Sequence, residues 1–254
     1  MAYIGTKDYN LEVLRGNVSG HTMYPIIGHD ESLSTTKIVI HPTGVTINID
    51  QSSIDATPAT VKISSTSNND AAAGTGLQTA TLFGLDSSGD IQTETISDIN
   101  GQTGSTSANT YSAIYGLVGL TAGSLNFNDG TVWVGTGTIT AGVPATPFLS
   151  MNGNSNKALT GYYVVPNGKT FTPRQFIATQ AAANKDAEVY VETSTDGAFW
   201  ITQGLFGIES GGPFVTPVLA IPPLAAGTHI RLAGKAAGAG TDITAILAGE
   251  LIDN

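Results

Sequence analysis

The fold class is indicated most clearly by the segment Glu188–Glu192 (EVYVE), which is followed by Asp196-Gly197 and then by residues 199–202. Val189 and Val191 alternate with the carboxylates, so one face of an extended strand is apolar and the other is charged. The Asp-Gly pair suits a tight turn, because glycine takes a positive φ without steric cost. The pattern therefore predicts a β-hairpin whose return strand begins near residue 199.

Short runs rich in Val, Ile, Thr, Tyr and Phe alternate with turn signals about every ten residues along most of the chain. Three further turns are predicted at Asp86–Asp90, Asp129-Gly130 and Pro166–Gly168, and in the last of these Asn167 or Gly168 can take the left-handed conformation. After Pro144 there are eight strand candidates, which are residues 146–151, 161–165, 170–179, 187–193, 199–206, 214–219, 229–232 and 241–251. Two Ala-rich stretches, 178–187 and 233–239, are interpreted as strand ends and loops, with at most one short helix.

The chain is therefore predicted to be all-β, an antiparallel β-sandwich of jelly-roll type. We expect three parts: an N-terminal arm with a few strands over residues 1–60, a β-rich domain over 61–145, and a jelly-roll-like sandwich over 146–254. Residues 45, 47 and 49 alternate as Val, Ile and Ile and predict a strand in the arm. Whether residues 61–254 form one sandwich or two is left open.

Composition excludes several classes of function. Only 12% of the residues are charged and the net charge is −10, so we expect no nucleic-acid partner. The chain has no Cys, and no run of about 18 apolar residues predicts a membrane span. The start of the chain does not resemble a secretory signal. A surface with so few charges is expected to be covered by neutral polar side chains, by other protein, or by both.

Patterns for catalysis or cofactor binding are weak. His21 and His29 lie near Asp30 and Glu31, but their spacing is not that of a helical metal site, so polar loop residues are the preferred interpretation. The G-x-S-x-G pattern is absent, and the Gly-x-Gly pairs lack a third glycine or a P-loop lysine. We therefore expect no catalytic residue, no metal and no cofactor.

Aromatic residues are the remaining candidates for a site. Trp200 points to the opposite face from Phe199 and Ile201, so if those two face the core, Trp200 is exposed or lies in a subunit contact. The adjacent Tyr162 and Tyr163 raise the same question. These three aromatics, Trp200, Tyr162 and Tyr163, are predicted to contact another subunit or, alternatively, a glycan.

Short segments built from turn residues follow one another over about residues 61–254. They are Thr66–Gly76 (TSNNDAAAGTG), Thr79–Asp86 (TATLFGLD), Glu94–Ile96 (ETI), Asn100–Thr103 (NGQT), Tyr163–Thr170 (YVVPNGKT) and Thr241–Ile243 (TDI). In this order the segments resemble a pattern that recurs in structural proteins of tailed bacteriophage particles. The resemblance implies a virion component that is a homo-oligomeric β-sandwich, and it brings no catalytic residues with it.

The expected function is a capsid-associated decoration, cement or head-fibre protein, located on the virion. Its expected partners are other copies of itself, as a homotrimer, and the major capsid protein or another virion protein. Residues 1–30 are the expected shell contact, although they could instead supply strands to the chain's own sandwich. Two alternatives stay open: a neck, tail or baseplate protein, and a host-glycan-binding module.

Overall fold

The computed structural model describes residues 8–42, 51–181, 185–209, 211–216 and 220–254, and it confirms an all-β, antiparallel fold. The elements are α1 (Tyr9–Leu14), β1 (His21–Leu33), β2 (Ile38–Val39), α2 (Ser52–Ala56), β3 (Lys62–Ser65), β4 (Leu77–Leu85), β5 (Ile91–Ile96), β6 (Ser105–Thr106), β7 (Ala113–Ala122), β8 (Val132–Thr140), β9 (Val143–Met151), β10 (Tyr162–Val164), β11 (Lys169–Gln180), β12 (Ala187–Ser194), β13 (Ile201–Ile208), β14 (Pro213–Thr216), β15 (His229–Ala236) and β16 (Thr241–Asp253). In the described part of the chain, no helix is long and apolar enough to cross a bilayer.

Eight strands form a jelly roll. One sheet has the order β1-β16-β11-β14, and the facing sheet has the order β10-β15-β12-β13, with β2 added beside β15. Strands that follow one another along the chain are thus divided between two four-stranded layers, and the first and last strands are neighbours. The apolar core lies between the layers, where the alternating inward residues of both sheets meet. Its largest fully buried members are Leu33, Ile40, Tyr163, Phe171 and Phe176.

The first strand of this jelly roll comes from the segment that the sequence indicated as an arm. β1 pairs with β16 from His21↔Ile252 to Leu33↔Thr241, and it buries Ile26 and Leu33 in the core. Residues 21–30 are therefore part of the sandwich, as the alternative interpretation of the arm anticipated. Val45, Ile47 and Ile49 lie outside the described residues.

A second sandwich lies between β1 and β10 in the sequence. Its sheets have the orders β6-β3-β8-β9 and β5-β4-β7, and its core lies between them. The strand candidate at 146–151 is part of β9, which pairs with β8 in this sandwich. The expected division at residue 145 thus falls inside β9, and β1 takes the place of residues 146–151 as the eighth jelly-roll strand.

The two sandwiches are packed against each other through a small apolar cluster. Its buried members are Leu85, Ala113, Trp133, Tyr162 and Val164, which come from both sandwiches. This junction fixes the strand β10 between the two units.

The Asn-Asp and Gly-Thr-Gly part of the recognised pattern builds a loop around a buried carboxylate. Asp70 is fully buried, and its side-chain oxygens accept four hydrogen bonds of 2.5–2.9 Å. The donors are Ser65 Oγ and the backbone amides of Leu77, Asp129 and Gly130. A Cβ on Gly76 would lie 2.2 Å from Asp70 Oδ1, so only glycine fits beside the carboxylate.

The turn predictions have mixed outcomes. The hairpin at Asp196-Gly197 is confirmed as β12–β13, and that at Asp86–Asp90 as β4–β5. The hairpin at Asp129-Gly130 is wrong, because residues 125–127 form no strand and both amides donate to Asp70 instead. At Gly168 the φ is +67°, as expected, but the turn joins β10 and β11, which belong to opposite sheets.

The Ala-rich stretches are strand ends and loops wherever the structure describes them. The two short helices instead lie before β1 and before β3, where no helix was expected. In α1, the side chain of Asp8 accepts a hydrogen bond from the Leu11 amide and caps the first turn.

Candidate functional site: an uncharged apolar edge

The edges of the two jelly-roll sheets meet along one side of the molecule. Within the described residues, β13 pairs only with β12, and β14 pairs only with β11. The rings of Phe206 and Phe214 lie 5.3 Å apart between centroids, and Phe206 stacks on Phe176 at 4.3 Å. These aromatic contacts hold the two edge strands side by side. We call β13, β14 and Phe199 the apolar edge.

Large apolar side chains of this edge face solvent. Ile201, Leu205 and Val215 are 53–55% exposed, and Phe199 is 73% exposed. The residues of both strands include no Lys, Arg, Asp or Glu, and the nearest acid along the chain, Glu209, follows β13. Sheet edges in soluble proteins are usually protected by charges, because their unpaired backbone groups can bind another strand. This edge lacks that protection.

Charges on the adjoining sheet face are paired with each other and leave the edge neutral. Glu192 is fully buried and accepts hydrogen bonds from Lys37 Nζ at 2.6 Å and Arg231 Nε at 2.7 Å. Burial alone would raise the pKa of Glu192, but these two cations hold it below its usual value. Glu188 and Lys235 form a second pair, 3.0 Å apart.

Trp200 lies on the opposite side of the chain from the exposed residues of this edge. One case considered from the sequence was that Phe199 and Ile201 face the core. In the structure these two residues face solvent instead, and Trp200 is half-buried. The Arg231 guanidinium carbon lies 4.1 Å from the centroid of the Trp200 ring, and the Tyr162 and Trp200 ring centroids lie 6.5 Å apart in an edge-to-face arrangement. One face of the indole is thus already covered within the chain. A contact between Trp200 and a partner stays a prediction.

Tyr162 and Tyr163 need a correction, because both are buried within their own chain, with 2% and 1% exposure. The Tyr162 hydroxyl lies 2.8 Å from His229 Nδ1 in the junction between the sandwiches. The Tyr163 ring packs against Tyr24 and Tyr115 on the other side of β10. Both faces of β10 are covered because this strand lies at the junction, so neither ring lies on the outer surface, where a subunit or a sugar would contact it.

The structure brings Trp200 and Tyr162 together but places Tyr163 elsewhere, since neighbouring residues of a strand face opposite ways. Sequence reasoning missed Leu205 and Val215 as surface residues. The signal that could have identified them is the absence of charge over residues 199–208 and 213–216.

The histidines are dispersed over the molecule. His21 contacts Glu250, His29 contacts Thr244, and His229 contacts Tyr162. In the described ranges, no group of three or more His, Asp or Glu side chains is arranged to hold a metal ion.

Comparisons with known proteins give no family. No family model matches the chain, and no curated protein matches it. One solved structure that is similar to the chain is titled "Structure of infectious bursal disease virus Gt strain", with a TM-score of 0.23 and 8% identity. The match covers 92% of this chain and 72% of that chain. A TM-score this low supports no assignment.

Proposed function

We propose that this chain is a structural component of a tailed phage particle, a decoration, cement or head-fibre protein that associates with copies of itself. Its mechanism is adhesive: the apolar edge of one copy meets another copy, and the assembled protein attaches to the shell. The resemblance of about residues 61–254 to phage structural proteins supports the proposed location, and the apolar edge supports the proposed mode of association. The observation that carries the proposal is the absence of charge on both edge strands together with their exposed Ile201, Leu205 and Val215.

Closed symmetry would cover the apolar edge of every copy and limit the size of the assembly. An edge that paired without closing would extend into a fibre, whereas a ring of three copies covers each edge once and then stops. A stable contact of this kind buries more than about 1,000 Å² in total. The charged residues of β12 and β15 stay outside the contact, because they are already paired on the sheet face.

Light scattering on the purified chain tests the association. The wild-type mass is expected to be three times the monomer mass of 26.0 kDa. Leu205→Lys places a cation on the edge and is expected to give monomers, because a buried unpaired charge costs several kcal/mol. Leu120→Lys is the matched control, since Leu120 is 54% exposed on β7, away from the edge, and this variant is expected to stay trimeric.

Immunogold labelling of the phage particles tests the location. Label over the shell is the expected result, and label at the neck, tail or baseplate would transfer the proposal to that part of the particle. A wild-type chain that is monomeric both in solution and on the particle would contradict the proposal, as would a Leu205→Lys variant that assembles like the wild type.

A further inference from the structure

A cleft of about 430 Å³ lies where the two sandwiches meet, on the side of β10 that carries Tyr163. Its wall includes Tyr24 from β1, Tyr115 from β7 and Tyr163 from β10, so three of the four sheets contribute. Lys157, Ala158 and Thr160, from the segment that connects the second sandwich to β10, also line it. A volume of this size is within the range of small-molecule sites.

The floor of the cleft is aromatic and aliphatic. The Tyr163 ring lies 4.4 Å from Tyr24 and 5.0 Å from Tyr115 between centroids, the second pair edge to face. The exposed or half-buried apolar residues that line the cleft beside these rings include Pro25, Ile27 and Val118. An apolar chain or ring placed here would be removed from water on most of its surface.

Several polar atoms in the wall have no protein partner. The hydroxyls of Tyr24, Tyr115 and Tyr163 form no hydrogen bond with any described residue, although Tyr163 is only 1% exposed. Thr160 Oγ1 is buried and also lacks a partner in the described part of the chain. Burial raises the pKa of all three tyrosines, that of Tyr115 to about 12, so their hydroxyls stay neutral donors. The tyrosine hydroxyls line the cleft without a partner among the described residues, and Thr160 Oγ1 is a buried polar atom of its wall, a kind of atom that is normally paired, so the wall can offer hydrogen bonds to a ligand.

The residues that line the cleft have a positive formal charge, whereas the chain as a whole is negatively charged. Although the net charge is −10, the residues that line the cleft include Lys157 and Lys169 and no Asp or Glu. Lys169 is paired with Asp253 at the rim. Lys157 has an exposed side chain and no ion pair with any residue that the structure describes. One cation is thus available to an anionic ligand.

We propose that this cleft binds an apolar molecule that carries one carboxylate, of the medium-chain fatty acid class, with its chain on the tyrosine floor and its carboxylate at Lys157. A sugar fits less well, because most of the wall is apolar and offers few donors and acceptors. A phosphate ester or polyanion fits less well, because only one lysine is unpaired. The inference is independent of the function proposed above, since Leu205 and the rest of the apolar edge do not line the cleft.

Isothermal titration calorimetry with decanoate tests the proposal, with decanol and decyltrimethylammonium as probes of the same chain length. Decanoate is expected to bind once per chain and about tenfold more tightly than decanol, which corresponds to about 1.4 kcal/mol from the charge. Decyltrimethylammonium is expected to bind more weakly than either. Lys157→Gln is expected to weaken decanoate about tenfold and to leave decanol unchanged.

Two variants separate the cleft from the rest of the surface. Gly116 lines the cleft, and a Cβ there meets Phe83 at an ordinary 3.4 Å, so Gly116→Leu is expected to fill the space and abolish binding of both probes. Tyr163→Phe removes only a hydroxyl and is expected to weaken decanoate severalfold, which keeps the test informative if Gly116→Leu does not fold. Lys62→Gln, on β3 and outside the cleft, is the charge control and is expected to bind like the wild type.

The proposal is overturned if decanoate does not bind the wild-type chain at millimolar concentration. It is also overturned if Lys157→Gln and Lys62→Gln have equal effects, or if decyltrimethylammonium binds as tightly as decanoate.

Discussion

At the scale of single residues, three buried carboxylates organise the molecule: Asp70, Glu192 and Glu250, each fully buried. Asp70 is held by four neutral donors, and the two glutamates are held partly by cations. A buried charge is stable only when its hydrogen bonds are made, so each of these residues fixes the segments that supply its donors. The low overall charge of the chain makes these few charged sites prominent.

Asp70→Ala is expected to destabilise the chain by about 3 kcal/mol or more, because it leaves the Leu77, Asp129 and Gly130 amides without their acceptor. The measurement is equilibrium unfolding in urea. Asp90→Ala is the matched control, since Asp90 is exposed in the turn before β5 and is expected to change stability by less than about 0.5 kcal/mol. Equal effects of the two substitutions would show that the carboxylate of Asp70 does not hold the loop.

Acid is expected to weaken the jelly roll through Glu192 and Glu250. Burial raises both pKa values, but hydrogen bonds from Lys37 and Arg231 to Glu192, and from Tyr9, His21 and Arg174 to Glu250, bring each below its usual value. A carboxylate whose pKa is lower in the folded state stabilises the fold above its unfolded pKa. That contribution is lost as the pH falls through the folded pKa.

The urea concentration at the unfolding midpoint of the wild type is therefore expected to decrease as the pH is lowered from about 5 to about 3. Glu192→Gln is expected to be about 2 kcal/mol less stable at neutral pH, because Arg231 loses its buried partner, and to lose less stability on acidification. Parallel pH profiles for the wild type and Glu192→Gln would contradict this account of Glu192.

At the scale of secondary-structure elements, the sequence predicted the strands well and their partners poorly. Alternation and turn residues are local signals, so all eight candidates after residue 144 coincide with strands, β9–β16. Pairing depends on contacts far apart in sequence, and one apolar strand resembles another. The exchange of β9 for β1 in the jelly roll could therefore not be read from the pattern.

The orientation and burial of the candidate site residues also depend on contacts between segments that are far apart in the sequence. The side on which Trp200 lies depends on the register of β13 against β12, which the sequence does not specify. The burial of Tyr162 and Tyr163 depends on the second sandwich packing over β10. The absence of charge over the two strands of the apolar edge, in contrast, is a local signal that the sequence contains, although it was not used to predict the edge.

Deletion of residues 1–33 is expected to abolish the cooperative unfolding of the jelly roll, because it removes β1 and exposes the core beside β16. Deletion of residues 1–20 is the matched control, since it keeps β1 and removes only the segment that includes α1. The control is expected to retain a single thermal transition by circular dichroism, at a lower midpoint because Tyr9 no longer contacts Glu250. A cooperative transition in the longer deletion would show that β1 is dispensable.

At the scale of the whole molecule, a sandwich inserted between the first two strands of a jelly roll gives a body with two cores and one junction. The chain leaves the jelly roll after β2 and returns at β10, so both ends of the inserted unit are tied to the same sheet, beside β15. The cleft and the apolar edge lie in different places on this body, the first at the junction and the second on the edge formed by β13 and β14. The residues of the apolar edge therefore do not line the cleft.

The response of self-association to salt follows from the distribution of charge. The chain exposes 11112 Å² and has only 30 charged residues, none of them in β13 or β14. Copies that each have a net charge of −10 repel one another at a distance, and salt screens that repulsion within about 10 Å at 0.1 M. Raising the salt from about 0.05 M to about 1 M is therefore expected to leave the trimer intact and to lower its dissociation concentration slightly. Light scattering on a dilution series at both salt concentrations measures this, and dissociation at high salt would show that ion pairs, rather than the apolar edge, hold the copies together.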